Sequence, residues 1–303
     1  MIQSAAAMNA LSTLRSISSD IDTTSKRIST QMNIADASDG AAYWSIAETA
    51  RSEVGVLNEV QKTLNAGKGS LDVSAAALSG IRENLQTLRD TLVGALTAGV
   101  DRGAVQEEVA GLISQVTTLA NSADFNGNNL VSLDSGAANY NATYSVVAGV
   151  ADDAAGAVQV TTIDLDVTST TALDAGAGDG FLDLDRTVGG TTSDVVSIDI
   201  SALTDSATDI TTLTETIGVV DAAIEDAIAA ETAVGVAQNR VDSQGQFVQA
   251  VIDAKESAVS SLVEADLEAE AARLTSLQTQ QQLAVQALSI ANNNVANLLG
   301  LFR

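Results

Sequence analysis

The stretch 56–94, VLNEVQKTLNAGKGSLDVSAAALSGIRENLQTLRDTLVG, carries leucine at every seventh position: Leu57, Leu64, Leu71, Leu78, Leu85 and Leu92. Val60, Ile81 and Leu88 stand three positions after members of that series. A heptad seam held this long specifies a coiled-coil-like helix, because only a 3.5-residue period keeps one narrow face turned to a partner. Ser38 or Asp39 is expected to cap its start and Gly94 to Gly103 to end it, a helix of about 57 residues and roughly 85 Å. Working outward, Val105, Val109, Leu112, Val116, Leu119 and Ala123 step by three or four, which predicts a second, shorter helix closed by the turn residues Asp124-Phe125-Asn126-Gly127-Asn128.

The same spacing returns late in the chain. Leu213, Val220, Ala227, Val234, Val241, Val248 and Leu262 lie on one heptad series, with Ile217, Ile224, Ile252 and Val259 on its partner and Lys255 as the lapse. Beyond Asp266 a further seam holds Leu267, Leu274, Gln281, Leu288, Val295 and Phe302, paired with Ala271, Gln278, Val285, Asn292 and Leu299. At the other end of the chain Ala7, Leu14, Ile21 and Ile28 form a matching stripe with Leu11 and Met32. Each terminal stripe is narrow, and an isolated amphipathic helix is marginal in water. Both are expected to pair with each other and with copies in other subunits, with Gln278, Gln281 and Asn292 helping to fix register.

Composition agrees with thin helical packing. Hydrophobic residues are 46% of the 303, but aromatics only 3%, so burial comes from Ala, Val, Leu and Ile. Proline is absent, so long helices run unbroken. Histidine and cysteine are absent too, which removes disulfides, the usual zinc sites and every mechanism needing an imidazole or thiolate. No enzyme, cofactor or metal centre is expected. With 14 Lys+Arg against 39 Asp+Glu the formal charge is −25, which repels nucleic acid and anionic membrane surfaces. The start, Met1-Ile2-Gln3-Ser4-Ala5, lacks the basic region and apolar core of a secretory signal, and no stretch reaches the ~20 apolar residues of a membrane span.

Residues 131–205 differ in kind. They hold twelve Asp, no Glu or Lys and only Arg186, a net of −11, and are rich in Thr, Ser and Gly. Alternation at 158–160, 163–167, 182–185 and 196–200 predicts short half-buried strands between Gly-rich turns such as 176–180. A small β-rich module therefore interrupts two helical halves that come back together. The fold class expected is mainly α: long coiled-coil-like helices from both termini forming a bundle, with a small inserted β-rich outer domain. As such an insertion, 138–200 is expected to be removable without loss of assembly.

Specific landmarks carry a resemblance. Leu274-Thr275-Ser276-Leu277-Gln278-Thr279-Gln280-Gln281-Gln282-Leu283, Gln286-Ala287-Leu288-Ser289-Ile290-Ala291-Asn292 and Leu298-Leu299-Gly300-Leu301-Phe302-Arg303 resemble the C-terminus of bacterial flagellin. Ala7 to Arg15, Arg27-Ile28-Ser29, Asp39 to Ala47 and Phe125-Asn126-Gly127 resemble its N-terminal landmarks in order. Ser29-Thr30-Gln31 stands where Ser-Ser-Gly is usual, and Gly40 where a second Asp is.

The resemblance implies a filament subunit in three layers: a terminal coiled-coil core of 1–36 and 264–303, a helical bundle of 37–133 and 206–263, and a variable acidic surface domain of 134–205. It implies that the subunit is secreted unfolded through the flagellar export apparatus with an export chaperone. The subunit then joins copies of itself, and other flagellins where they share the filament, beneath a filament cap to build an extracellular flagellum for swimming. The self-assembly residues so assigned are Leu11, Leu14, Ile21, Ile28, Leu267, Leu274, Leu288, Val295, Leu299 and Phe302. It also aligns 84–93 with a helix that animal innate-immune receptors read on many flagellins, where Arg89 fits the pattern and Thr91-Leu92 replaces the usual Leu-Ser.

Other readings compete with these. The pairs Asp164/Asp166 and Asp183/Asp185 suit calcium oxygen chemistry, but alternating Asp on the wet face of a strand gives the same spacing and no twelve-residue calcium loop is present. A flagellin-like cell-surface protein binding a carbohydrate or cation through the acidic domain, or a hook–filament junction protein, are the alternatives. Asn141-Ala142-Thr143 matches an N-glycosylation acceptor in form alone.

Overall fold

The structure is a computed structural model that describes the backbone of residues 5–152 and 158–301 and the side chains of 8–151 and 159–290. Five α-helices stand among the described residues: α1 (Ala5–Thr30), α2 (Ala37–Gly94), α3 (Arg102–Ser122), α4 (Ala207–Val263) and α5 (Leu267–Leu301). Eight strands lie between α3 and α4: β1 (Asp124–Phe125), β2 (Asn128–Asn129), β3 (Ser132–Leu133), β4 (Thr143–Asp152), β5 (Val158–Asp166), β6 (Leu173–Asp174), β7 (Arg186–Val188) and β8 (Thr191–Ser193). The chain divides into two compact units, Met1–Gly55 with Val251–Arg303, and Val56–Ala250. Helices α2 and α4 contribute to both.

In the unit 56–250 the heptads become the core. Leu64, Leu71, Leu78, Leu85 and Leu92 of α2 are buried, as are Val60, Ile81 and Leu88. From α4, Leu213, Val220, Ala227, Val234, Val241 and Val248 are buried with Ile217 and Ile224. Each covered leucine contributes ~1.5–3 kcal/mol, so the seam is the main stabilising element. Lys68 to Asp242 (2.5 Å), Arg82 to Glu231 (2.9 Å) and Gln238 to Asp72 (2.8 Å) show that the two helices run antiparallel. Small Ala and Val on α4 opposite Leu on α2 allow that approach.

Helix α2 ends at Gly94 as expected. Its N-terminal turn is less regular: Gly40 is non-helical inside it (φ 173°, ψ 85°). The Asp39 carboxylate turns back to accept from the amides of Ala35 and Asp36, both at 3.1 Å, and these bonds hold its pKa below the usual carboxylate value. Asp39 thus fastens the chain before the helix. Helix α3 is capped by Asp101, which accepts from Gly103 and Ala104.

The tight turn after α3 is a two-residue hairpin. Asn126 and Gly127 both have positive φ (56° and 83°), joining antiparallel β1 and β2. Strands β4 and β5 pair antiparallel with an irregularity between Val147 and Gly149, β3 and β6 pair parallel, and β7 and β8 form a short hairpin. Alternation is realised on part of the long hairpin, where Val146, Ala148, Ile163 and Leu165 are buried, whereas Val160 is 54% exposed. The expected segments 158–160 and 163–167 merge into one strand that ends at Asp166, and Val167 opens a 3-10 turn. Two other expected strands do not form. At 182–185 Leu182 is buried and Leu184 exposed, because Asp183 and Leu184 both donate to Gly180 O and curl the chain. At 196–200 the Gln106 side chain takes a neighbouring strand's place, donating to Ile198 O (3.1 Å) and accepting from Ile200 N (2.9 Å).

The segment is bound to the helices throughout. Arg102 is buried and donates to Ala95 O, Leu203 O and Asp205 Oδ1 (2.9 Å). Gln244 reaches Ala148 O, and Glu215 accepts from Gly190 N and Thr191 Oγ1. Gly189 (φ +64°) adopts the left-handed backbone there that glycine reaches without strain.

Candidate assembly surface

In the unit holding both terminal helices, α1 and α5 pack along their lengths. Arg27 donates to Glu270 at 3.2 Å and Gln281 to Ser18 Oγ at 3.4 Å, so the pair is antiparallel. At its open end a bridge joins Met32 to Glu264, Asn33 N donates to Val263 O (2.7 Å) and Ala265 N to Gln31 O (3.0 Å). Gln31 holds a positive φ of 58° to make that turn. Asp266 then caps α5 through the amides of Glu268 and Ala269. Beside this junction Ile34, Ala47, Val259 and Val263 form a small core against Trp44, Ala50 and Leu262.

The seam between the helices is a heptad seam turned by one position from the expected one. On α1 the sheltered residues are Ala10, Leu14, Ile17, Ile21, Thr24 and Ile28, flanked by Ser18 and Arg27; on α5 they are Glu270, Leu274, Leu277, Gln281, Ala284 and Leu288. Ile17 and Leu277 are each 7% exposed. The expected series 14/21/28 and 274/281/288 are therefore on the seam, but their partners lie three positions away, not four. Sequence reading missed Ile17, Thr24, Glu270 and Leu277. The three-residue step from Leu14 and Leu274 was the available signal.

The four-step partners Leu11 and Val285 face outward, 39% and 52% exposed. Leu267, at the start of α5 on the series of Leu274, is 42% exposed, and Met8, Leu283 and Ile290 are more than half exposed. Helix α5 carries apolar residues around more of its surface than one neighbouring helix covers, the pattern of a helix meant for burial on several sides. Side chains of Val295 and Leu299, and Phe302 altogether, lie outside the described residues.

Charge around the surface is arranged locally. Lys26 is hydrogen-bonded to Asp36 at 2.5 Å, which raises its pKa. Lys255, the lapse in the α4 seam, is paired with Glu53. Glu270 keeps one buried oxygen without a protein partner beside Arg27.

The remaining sequence candidates are scattered. Arg89 is bonded to Asp90, which raises its pKa, and lies 3.8 Å from Asp221, while Leu85, Leu88 and Leu92 point into the core. Asp164 is held by Ser145 and Thr162, which lower its pKa. Asp166 caps a short 3-10 turn through Thr168, and Asp183 accepts from Asp174 N. Among the described residues no group of three or more Asp or Glu is placed to hold a metal ion, and no helix is long and apolar enough to cross a membrane.

Comparison with known proteins matches these elements. The model of the bacterial flagellin N-terminal helical region covers residues 3–134, and that of the C-terminal helical region 217–302. Flagellin C of Rhizobium meliloti (strain 1021) is 37% identical, over 98% of this chain and 97% of its own. Flagellin A of the same strain is 34% identical, over 98% of each chain. The flagellin of Brucella melitensis biotype 1 is 32% identical, over 100% of this chain and 99% of its own.

Proposed function

The chain belongs to the bacterial flagellin family, and we propose that it works as the repeating structural subunit of an extracellular flagellar filament, joined to copies of itself through α1 and α5. The observation that carries this reading is the outward apolar stripe of Leu11, Leu267, Val285 and their neighbours on helices that reach one partner within a single chain. Each large side chain covered by a neighbouring subunit contributes ~1.5–3 kcal/mol, and the same contact repeats at every subunit. Leu14, Ile21, Ile28, Leu274 and Leu288 hold the two helices together and so shape the stripe. In the sequence Val295 and Phe302 fall on the heptad of Leu274 and Leu288, and Leu299 on that of Val285.

The chain performs no catalysis in this reading, and motility follows from the filament. Export occurs unfolded through the flagellar secretion apparatus, with a chaperone shielding the stripe beforehand and a cap guiding addition. A chain poor in aromatics and without cysteine suits refolding after passage. Purified monomer, warmed and cooled with short filament fragments as seeds, should grow long uniform filaments by electron microscopy. A protein that stays monomeric at every concentration would overturn the reading.

A further inference from the structure

We propose that the groove beside the β1–β2 turn and the start of the β4–β5 hairpin binds a neutral carbohydrate. It encloses about 540 Å³ and is lined in part by Asp124, Asn128, Asp134, Asn139, Tyr140 and Tyr144, a volume within the ~300–1,000 Å³ range of small-molecule sites. An adjoining recess of about 270 Å³ shares Leu133 and Tyr140 and adds Ser135, Thr168 and Asp179. Tyr140 therefore stands where two recesses meet, as between successive units of an oligomer.

The lining is unusual for this chain. Of only three tyrosines, two form this wall. Both are half-buried, and the amides of Asn128 and Asn139 are exposed to solvent. A sugar offers hydroxyls that donate and accept at close spacing, which matches an amide's carbonyl and NH2, and its C–H faces lie well on tyrosine rings. Other ligand classes fit less well. Asp124 and Asp134 repel an anion. A bare cation finds too few oxygens, because Asp124 Oδ1 accepts from Gly127 N (3.1 Å) and Asp134 Oδ1 from Gly136 N (3.0 Å). An apolar ligand would leave the amides and hydroxyls unpaired.

If the chain builds filaments as proposed above, the groove is repeated at every subunit, and weak single sites gain ~10²–10⁴-fold by multivalency. The test uses the full-length monomer and a panel of chitotriose, cellotetraose, mannotriose and galactotriose, read by saturation-transfer NMR. At least one member should bind with a dissociation constant near 1 mM. Tyr144→Ala and Tyr140→Ala should weaken it at least about tenfold, Tyr144→Phe and Tyr140→Phe less, and Tyr43→Ala not at all. No binding by any member, equal binding by the Tyr140→Ala, Tyr144→Ala double variant, or loss of binding on adding calcium alone would overturn the site. Filaments should then retain on beads carrying the bound sugar far better than monomers. A monomer that binds while filaments do not would refute the display without touching the groove.

Discussion

Val146 of the β4–β5 hairpin sits over Gly67 of α2 so closely that a Cβ at position 67 would lie 2.6 Å from both of its methyl carbons. Glycine in a helix interior costs ~1 kcal/mol relative to alanine, so its presence here serves the approach of the hairpin. Phe125 lies over Gly69 in the same way, 2.8 Å from where a Cβ would stand.

Gly67→Ala should therefore destabilise the protein by about 1–3 kcal/mol through overpacking, against its favourable helix propensity. Adding Val146→Ala should recover part of that loss. Chemical unfolding followed by helical circular dichroism measures both. A stabilised Gly67→Ala protein would mean that the hairpin does not rest on α2.

The same packing makes 138–200 costly to remove, where sequence alone presents it as an independent insertion. Deleting it takes away Val146, the carbonyl that Gln244 binds and the chain that Gln106 holds. The truncated protein should show lower helical signal at 25 °C and a lower melting temperature. Unchanged melting would return the segment to the status of a detachable domain.

Arg102 and Arg89 should behave differently. Arg102→Ala removes a buried guanidinium bonded to two carbonyls and Asp205, at a cost of about 2–3 kcal/mol. Arg89→Ala breaks a half-exposed pair and should cost less than about 1 kcal/mol. Equal losses would contradict the placement of Arg102.

Acid should loosen the acidic segment at Asp174. Burial pushes its pKa up, but hydrogen bonds from the side chain and amide of Ser135 and from the amides of Gly176 and Ala177 outweigh it and bring the value down from 3.8 to about 2. Because the folded value is the lower one, this contribution is full above pH ~4 and is lost as pH falls toward 2. Asp183, pushed up by burial, acts in the opposite sense. Near-ultraviolet dichroism of Tyr140 and Tyr144 should fade across that window, and Asp174→Asn should weaken the signal at neutral pH and flatten its acid limb.

Much of this was legible in the sequence because heptads report one-dimensional order. The Leu64 to Leu92 and Leu213 to Val248 series required only that two long helices find each other, and both are buried as read. The turn at Asn126-Gly127 was legible from residue chemistry alone. Short strands were not: Leu184 and Ile198 alternate like strand residues, yet their backbone partners are Gly180 and the Gln106 side chain, local or distant groups that no periodicity encodes. On α5 the series of Leu274, Gln281 and Leu288 lies on the seam but its companion series was read one position out, because Leu267, Leu283, Val285 and Ile290 make the helix apolar on several faces and its pattern cannot tell an intrachain partner from an interchain one.

That ambiguity is also where the central claim is tested most directly. Val285→Asp places a carboxylate on the outward stripe, and Leu277→Ala opens the seam between α1 and α5. The measurement is the critical concentration for seeded filament growth, followed by sedimentation, with monomer melting recorded alongside. Val285→Asp should leave the monomer's melting unchanged and raise the critical concentration more than tenfold, whereas Leu277→Ala should lower the melting of the terminal pair first. Filaments of Val285→Asp growing at the unsubstituted protein's critical concentration would contradict assembly through this face.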